Sequence, residues 1–151
     1  MAAIATAAFS IAANPAAAAS CQHVEVTIRG TPGPDQIVGT SGRDVIAAWD
    51  GDDEIRGIGG NDIICAGFGD DRVKGGSGRD SVTGASGNDQ IQGSEDNDQL
   101  LGQAGDDVVR GNKGNDLVRG NRVGDHDAVY GGPGFDTCGG EVRFGCEARP
   151  F

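Results

Sequence analysis

From residue 30 onward a single apolar side chain returns every nine positions, each flanked by two residues facing the other way and separated from the next by a polar, glycine-bearing turn. The recurring residues are Ile37, Ile46, Ile55, Ile64, Val73, Val82, Ile91, Leu100, Val109, Val118, Val129 and Cys138. Three residues with one inward side chain make the shortest useful β-strand. Ten of the twelve are β-branched, which suits strands stacked directly on like neighbours. Ten nonads tile residues 30–119, the eleven-residue variant GNRVGDHDAVY covers 120–130, and GGPGFDTCG ends at Gly139. The outward positions divide by block parity. Odd blocks present Gln36, Glu54, Arg56, Arg72, Lys74, Gln90 and Gln92, and even blocks present the more apolar Val45, Ala47, Ile63, Cys65, Leu101 and Leu117. Ahead of the array, Val24, Val26 and Ile28 alternate, and Ile28 falls at the inward position of the preceding frame. Residues 21–29 are therefore expected to form a capping strand that covers the open end and part of the apolar face.

The turns are as regular as the strands. The fourth position is Gly in ten of twelve blocks and the sixth is Asp in all twelve. Glycine supplies the positive φ and close backbone approach that tight turns need. The aspartates are Asp35, Asp44, Asp53, Asp62, Asp71, Asp80, Asp89, Asp98, Asp107, Asp116, Asp127 and Asp136. Carboxylates stacked about 5 Å apart repel one another, so a cation is expected between them. Ca²⁺ fits best, because it takes six to eight oxygens in flexible geometry, and carboxylates with turn carbonyls supply them. Mg²⁺ asks for stricter octahedral geometry, and transition metals ask for His or Cys. The competing account is that each Asp only accepts hydrogen bonds from its own turn amides.

These blocks resemble the RTX, or hemolysin-type, calcium-binding nonapeptide repeat G-G-x-G-x-D-x-U-x. Gly75-Gly76-Ser77-Gly78-Arg79-Asp80-Ser81-Val82-Thr83 matches every fixed position. The resemblance covers residues 30–139 and implies an all-β fold: a parallel β-roll, or β-solenoid, of about twelve nonapeptide repeats with N- and C-terminal caps. It further implies two blocks per coil and several Ca²⁺ ions between successive turns. Two ligand columns follow, one from Asp35 through Asp53, Asp71, Asp89 and Asp107 to Asp127, the other from Asp44 through Asp62, Asp80, Asp98 and Asp116 to Asp136. Departures from the pattern are expected to weaken particular sites. The insertion before Asp127 is the strongest, Pro34, Arg43 and Arg79 at the fifth position are others, and Asp96 in place of a turn glycine is expected to be strained. On the same stacking Cys65 and Cys138 lie four coils, or about 19 Å, apart. A disulfide cannot bridge that distance, so the expected pairs are Cys21 with Cys65 and Cys138 with Cys146.

Composition adds three constraints. The chain of 151 residues contains 28 Gly, 23 acidic and 12 basic side chains, a net charge of −11, and only seven aromatics. Without the period such a sequence would read as disordered. The acidity disfavours nucleic acid and anionic membrane surfaces as partners. About five or six divalent ions would neutralise −11, so partial occupancy is expected. Residues 1–20 carry no charge, run apolar and end in small residues, as an export signal does, although the basic n-region is missing. The expected organisation is a signal peptide at 1–20, a capping strand at 21–29, the roll at 30–139 and a C-terminal cap at 140–151. Four cysteines agree with an oxidising, extracellular setting. Neither His23 nor His126 has a nucleophile at motif spacing, and no G-K-[ST] follows the glycines, so no catalytic residue and no enzyme activity are expected. The expected function is that of a secreted, monomeric calcium-binding protein without membrane insertion, folded by Ca²⁺ after export. The alternative is a calcium-stiffened surface or adhesion module with Leu101, Leu117 and Tyr130 in one contact patch and an unidentified cell-envelope or protein partner.

Overall fold

The computed structural model describes residues 24–120, 125–140 and 142–146, and these form fourteen strands and no helix. In chain order they are β1 (Ile28–Arg29), β2 (Gln36–Val38), β3 (Val45–Asp50), β4 (Glu54–Gly59), β5 (Ile63–Phe68), β6 (Arg72–Ser77) and β7 (Ser81–Ser86). There follow β8 (Gln90–Ser94), β9 (Gln99–Ala104), β10 (Val108–Asn112), β11 (Leu117–Arg119), β12 (Ala128–Tyr130), β13 (Thr137–Gly139) and β14 (Val142–Phe144). Odd strands make one seven-stranded sheet and even strands the other, each in sequential order. All pairing is parallel, and the result is a β-solenoid of about six turns, a parallel β-roll. The expected signal peptide at 1–20, Cys21, His23, the insertion at 121–124 and the tail at 147–151 lie outside the described residues.

Stacking in steps of one coil puts like residue on like residue. Ile46, Ile64, Val82, Leu100, Val118 and Cys138 are in register along the odd sheet, and Ile37, Ile55, Val73, Ile91, Val109 and Val129 along the even sheet. The two rows meet in one core, joined by Ala48 and Ala66, with Ile28 and Cys138 packed at its margins. One apolar side chain per strand suffices because each is enclosed by equivalents above, below and across. The middle strands run to six residues rather than three, since turn residues also pair between coils, as Trp49 with Gly67 and Asp50 with Phe68. Fourteen strands rather than twelve are present because β1 precedes the first nonad and β14 follows the last, each extending one sheet by a strand.

The turns need unusual backbone. The fourth-position glycines from Gly51 onward, such as Gly60 (φ 110°) and Gly69 (φ 122°), are left-handed. A Cβ on either would fall within 2.7 Å of the backbone of the coil beneath. Asp96 adopts φ 72° in this place and accepts a hydrogen bond from the Gly78 N–H at 3.0 Å, which ties the substituted turn to its neighbour. Six second-position residues, including Ile58 at φ 83° and Ser94 at φ 102°, are left-handed without being glycine.

The outer faces differ as block parity requires. On the odd sheet Val45 and Cys65 are buried beneath Val24 and Val26. Thr27 fastens that segment, its N–H donating to the Val45 carbonyl at 2.9 Å while its hydroxyl accepts the Val45 N–H at 2.9 Å. The even sheet carries the polar face. Cys138 and Cys146 are joined by a disulfide with a Cα–Cα distance of 5.9 Å, clipping the segment after β14 to β13. Cys65 is also disulfide-bonded; Cys21, expected as its partner, is outside the described residues.

Candidate functional site: two buried carboxylate columns

The sixth-position aspartates follow directly on the turns and precede the strands, so the coil stacking aligns them in two columns along opposite edges of the roll. Asp35, Asp53, Asp71, Asp89, Asp107 and Asp127 make one, and Asp44, Asp62, Asp80, Asp98, Asp116 and Asp136 the other. Within each column the backbone N–H of one Asp donates to Oδ1 of the Asp in the next coil, at 2.8 Å for Asp53 to Asp71 and 3.1 Å for Asp107 to Asp127. From Asp53 onward every member is at most 3% exposed.

The other carboxylate oxygen separates the two accounts of these residues. At Asp35 and Asp44, Oδ2 accepts the N–H of Thr31 and Thr40 in its own turn, each at 2.6 Å, and the threonine hydroxyls add a second bond. Own-turn bonding of this kind holds the first coil. In Asp53, Asp62, Asp71, Asp80, Asp89, Asp98, Asp107, Asp116 and Asp136, Oδ2 is buried with no hydrogen-bond partner. Buried polar atoms are nearly always satisfied, and an unpaired carboxylate in a low-dielectric interior is costly. Such an oxygen needs a proton or a cation.

Burial raises the proton affinity accordingly. Desolvation lifts Asp89 to about 8, Asp71, Asp98 and Asp107 to about 7, and Asp80 to about 6. The amide donated by the preceding Asp opposes this in each case, and neighbouring carboxylates reinforce it. Asp53, Asp62 and Asp116 are raised by the same burial, with Arg43 pulling Asp62 back. Among the described residues no three His, Cys, Asp or Glu side chains converge on a point. A cation here would take carboxylates in pairs and complete its shell with backbone oxygen. First-position carbonyls such as those of Gly75 and Gly93, which face the same space as Oδ2 of Asp62 and Asp80, would supply that oxygen. This all-oxygen set suits a hard cation of flexible coordination.

A second ladder was not anticipated. Fifth-position side chains bond in the opposite sense: Asp52 Oδ1 accepts the Asp70 N–H at 2.9 Å, Asp70 that of Asn88 at 2.8 Å, and Asn88 that of Asp106 at 2.9 Å. Asn97 and Asn115 do the same on the other edge. The recurrence of Asn and Asp at this position was the available signal. Two further placements matter. Leu101 and Leu117 lie on the odd sheet and Tyr130 on the even sheet, so the expected three-residue patch is not brought together. Block parity separates them. His126 is exposed, with Nδ1 3.6 Å from Asp106 Oδ1.

A parallel solenoid with a buried, partnerless carboxylate oxygen at nine of its turns presents the donor set of a cation-binding β-roll. The model of the RTX calcium-binding nonapeptide repeat matches it six times, at residues 29–64, 56–91, 66–100, 83–118, 92–126 and 101–138. These matches span most of the chain, which belongs to that family and carries calcium-binding repeats. No curated protein and no solved structure matches it.

Proposed function

We propose that this protein is a secreted calcium-binding module whose fold is completed by Ca²⁺ held between stacked turns, with the twelve column aspartates as ligands. The nine buried, partnerless Oδ2 atoms carry this reading, because a divalent ion removes their desolvation penalty and the repulsion along each column together. Calcium-binding repeats of this family are typical of secreted proteins, and the disulfide at Cys138 agrees with an oxidising compartment. The chain's part is to position carboxylates and turn carbonyls and to exclude water from between them. No residue has a catalytic task in this reading. Ions that bind only the folded state stabilise it by about 1.4 kcal/mol per site at tenfold excess over Kd, so several sites together decide folding. Titration of the calcium-stripped, oxidised chain should give a cooperative gain of β circular dichroism with several ions bound. A chain that stays folded in chelator, with an unchanged melting temperature on adding Ca²⁺, overturns the proposal.

A further inference from the structure

The two columns carry the same buried aspartates, yet the turns around them differ in charge. The column from Asp35 to Asp127 lies on the edge where odd-sheet strands turn into the even sheet, and the column from Asp44 to Asp136 on the edge where the chain turns back. In the turns of the first edge Asp50, Asp52, Asp70, Asp106 and Asp125 add five carboxylates, with no Lys or Arg among the described residues. None of the five is ion-paired to Lys or Arg among the described residues. In the turns of the second edge Glu95 and Asp96 are outnumbered by Arg43, Arg79 and Lys113, and Lys113 pairs with Glu95 at 3.1 Å. Strand cations do not cancel the contrast. Arg29, Arg72 and Arg119, with Glu54, stand beside the acidic edge, and Arg56, Lys74 and Arg110 beside the other.

The outer carboxylates act on the buried ones. Burial is the largest cause of each raised proton affinity, and beyond it Asp52 and Asp50 reinforce the rise at Asp53, Asp52 and Asp70 at Asp71, and Asp125 and Asp106 at Asp107. On the second edge Asp96 does so at Asp80 and Asp98, while Arg43 opposes the rise at Asp62. A potential that attracts a proton attracts a divalent cation twice as strongly. The outer charges are also held in place. Asp52 Oδ1 accepts the Asp70 N–H at 2.9 Å, Asp70 Oδ1 that of Asn88 at 2.8 Å and Asp106 Oδ1 that of His126 at 2.8 Å. Behind them Oδ2 of Asp53, Asp71, Asp89 and Asp107 is buried without a hydrogen-bond partner.

We infer that the two columns are cation sites of unequal strength: the edge from Asp35 to Asp127 fills first, the edge from Asp44 to Asp136 fills last, and the fifth-position carboxylates Asp52, Asp70 and Asp106 set the difference. This ranking rests on the calcium reading above and adds a two-stage response to it. In calcium-poor surroundings the acidic edge is occupied, and the second edge fills as the concentration rises. The fifth-position charges act through space, so their effect weakens with salt. The ladder itself does not explain the choice of Asp, because Asn88, Asn97 and Asn115 accept the same amide bonds without charge. Nor does the insertion rank the edges, since the 20-residue step occurs once in each column.

The test is titration of Tb³⁺, a luminescent stand-in for Ca²⁺ that also takes oxygen ligands, into the calcium-stripped, oxidised full chain, with circular dichroism on the same samples. Each edge has its own sensitiser. Trp49, the single tryptophan, stands near the end of β3 where the chain enters the acidic edge, and Tyr130, the single tyrosine, ends β12 where it enters the other. Tyr130-sensitised emission is read in Trp49→Phe. Trp49-sensitised emission should reach half-maximum at about tenfold lower free Tb³⁺ than Tyr130-sensitised emission, and added salt should draw the two midpoints together. Asp52→Asn/Asp70→Asn, which keeps the ladder acceptors, should raise the Trp49 midpoint about tenfold with dichroism and the Tyr130 midpoint unchanged. Asn97→Asp/Asn115→Asp should lower the Tyr130 midpoint. Calorimetry with Ca²⁺ should resolve two phases. A single midpoint for both sensitisers, or variants that leave the midpoints in place or move both alike, overturns the ranking while leaving the calcium reading intact. A chain that binds neither Tb³⁺ nor Ca²⁺ overturns both.

Discussion

At the scale of single residues the informative atoms are the two oxygens of each column aspartate. In ten of the twelve, one accepts an amide from the preceding coil, and in nine of those ten the other meets no protein donor. Asp89→Asn separates these roles, because the amide oxygen can still accept the Asp71 N–H, bonded at 2.9 Å in the wild type, while the charge is gone. With Ca²⁺ the variant should bind fewer ions and lose about 1–3 kcal/mol of stability; without Ca²⁺ at pH 8 it should melt higher than wild type, since a buried charge has been removed. Calorimetric stoichiometry and paired melting curves check both signs. Equal destabilisation in the two conditions would mean that Asp89 serves packing alone. The sequence made the aspartates visible through their period. It could not show how their oxygens divide, because that depends on where the neighbouring coil's amide points.

At the scale of elements, strand positions and block parity were readable from one side chain in nine. The apolar even-block residues Val45 and Cys65 do lie beneath Val24 and Val26. Strand length was not readable. Positions one to three, such as Ala48 to Asp50, carry turn-like sequence but pair because the coil below has the same shape. The terminal strands lack that reinforcement on one side. The Cys138–Cys146 link, spanning eight positions, substitutes for it at the C-terminal end. Replacing both cysteines with serine should cost about 2–3 kcal/mol by loop-closure entropy. Hydrogen exchange should quicken in β11, β13 and β14 and stay unchanged in β5 to β8. Uniform quickening along the roll would show that the link supports the whole array.

At the scale of the whole molecule, the shifted aspartates set a pH dependence that calcium should reverse. Their folded pKa values lie above the ordinary 3.8, at about 6 for Asp80, about 7 for Asp71, Asp98 and Asp107, and about 8 for Asp89. The folded chain then holds protons that the unfolded chain has released, so the calcium-free roll is favoured below about pH 4 and loses that stability as pH rises through 6 to 8. Calcium-stripped protein should therefore melt higher at pH 5 than at pH 8, whereas at saturating Ca²⁺, where protons compete with the ion, it should melt higher at pH 8. A calcium-free melting temperature that rises with pH would contradict the burial of these carboxylates. Glycine and acid in such excess would otherwise signal a chain without a core; placed in frame, the glycines are the turns of the roll and the column aspartates are the ligands of the calcium reading proposed above.

The irregular block at Gly120–Tyr130 gains a different meaning in this light. Nearly identical coils have near-translational symmetry, and a shift by one whole coil would preserve almost every stacked pair. Across that block alone the step within each column lengthens from 18 to 20 residues, from Asp107 to Asp127 and from Asp116 to Asp136. That one long step is a registration mark: a chain slipped by a whole coil would set an 18-residue step against the 20-residue one, so the two columns distinguish a single phase of the array.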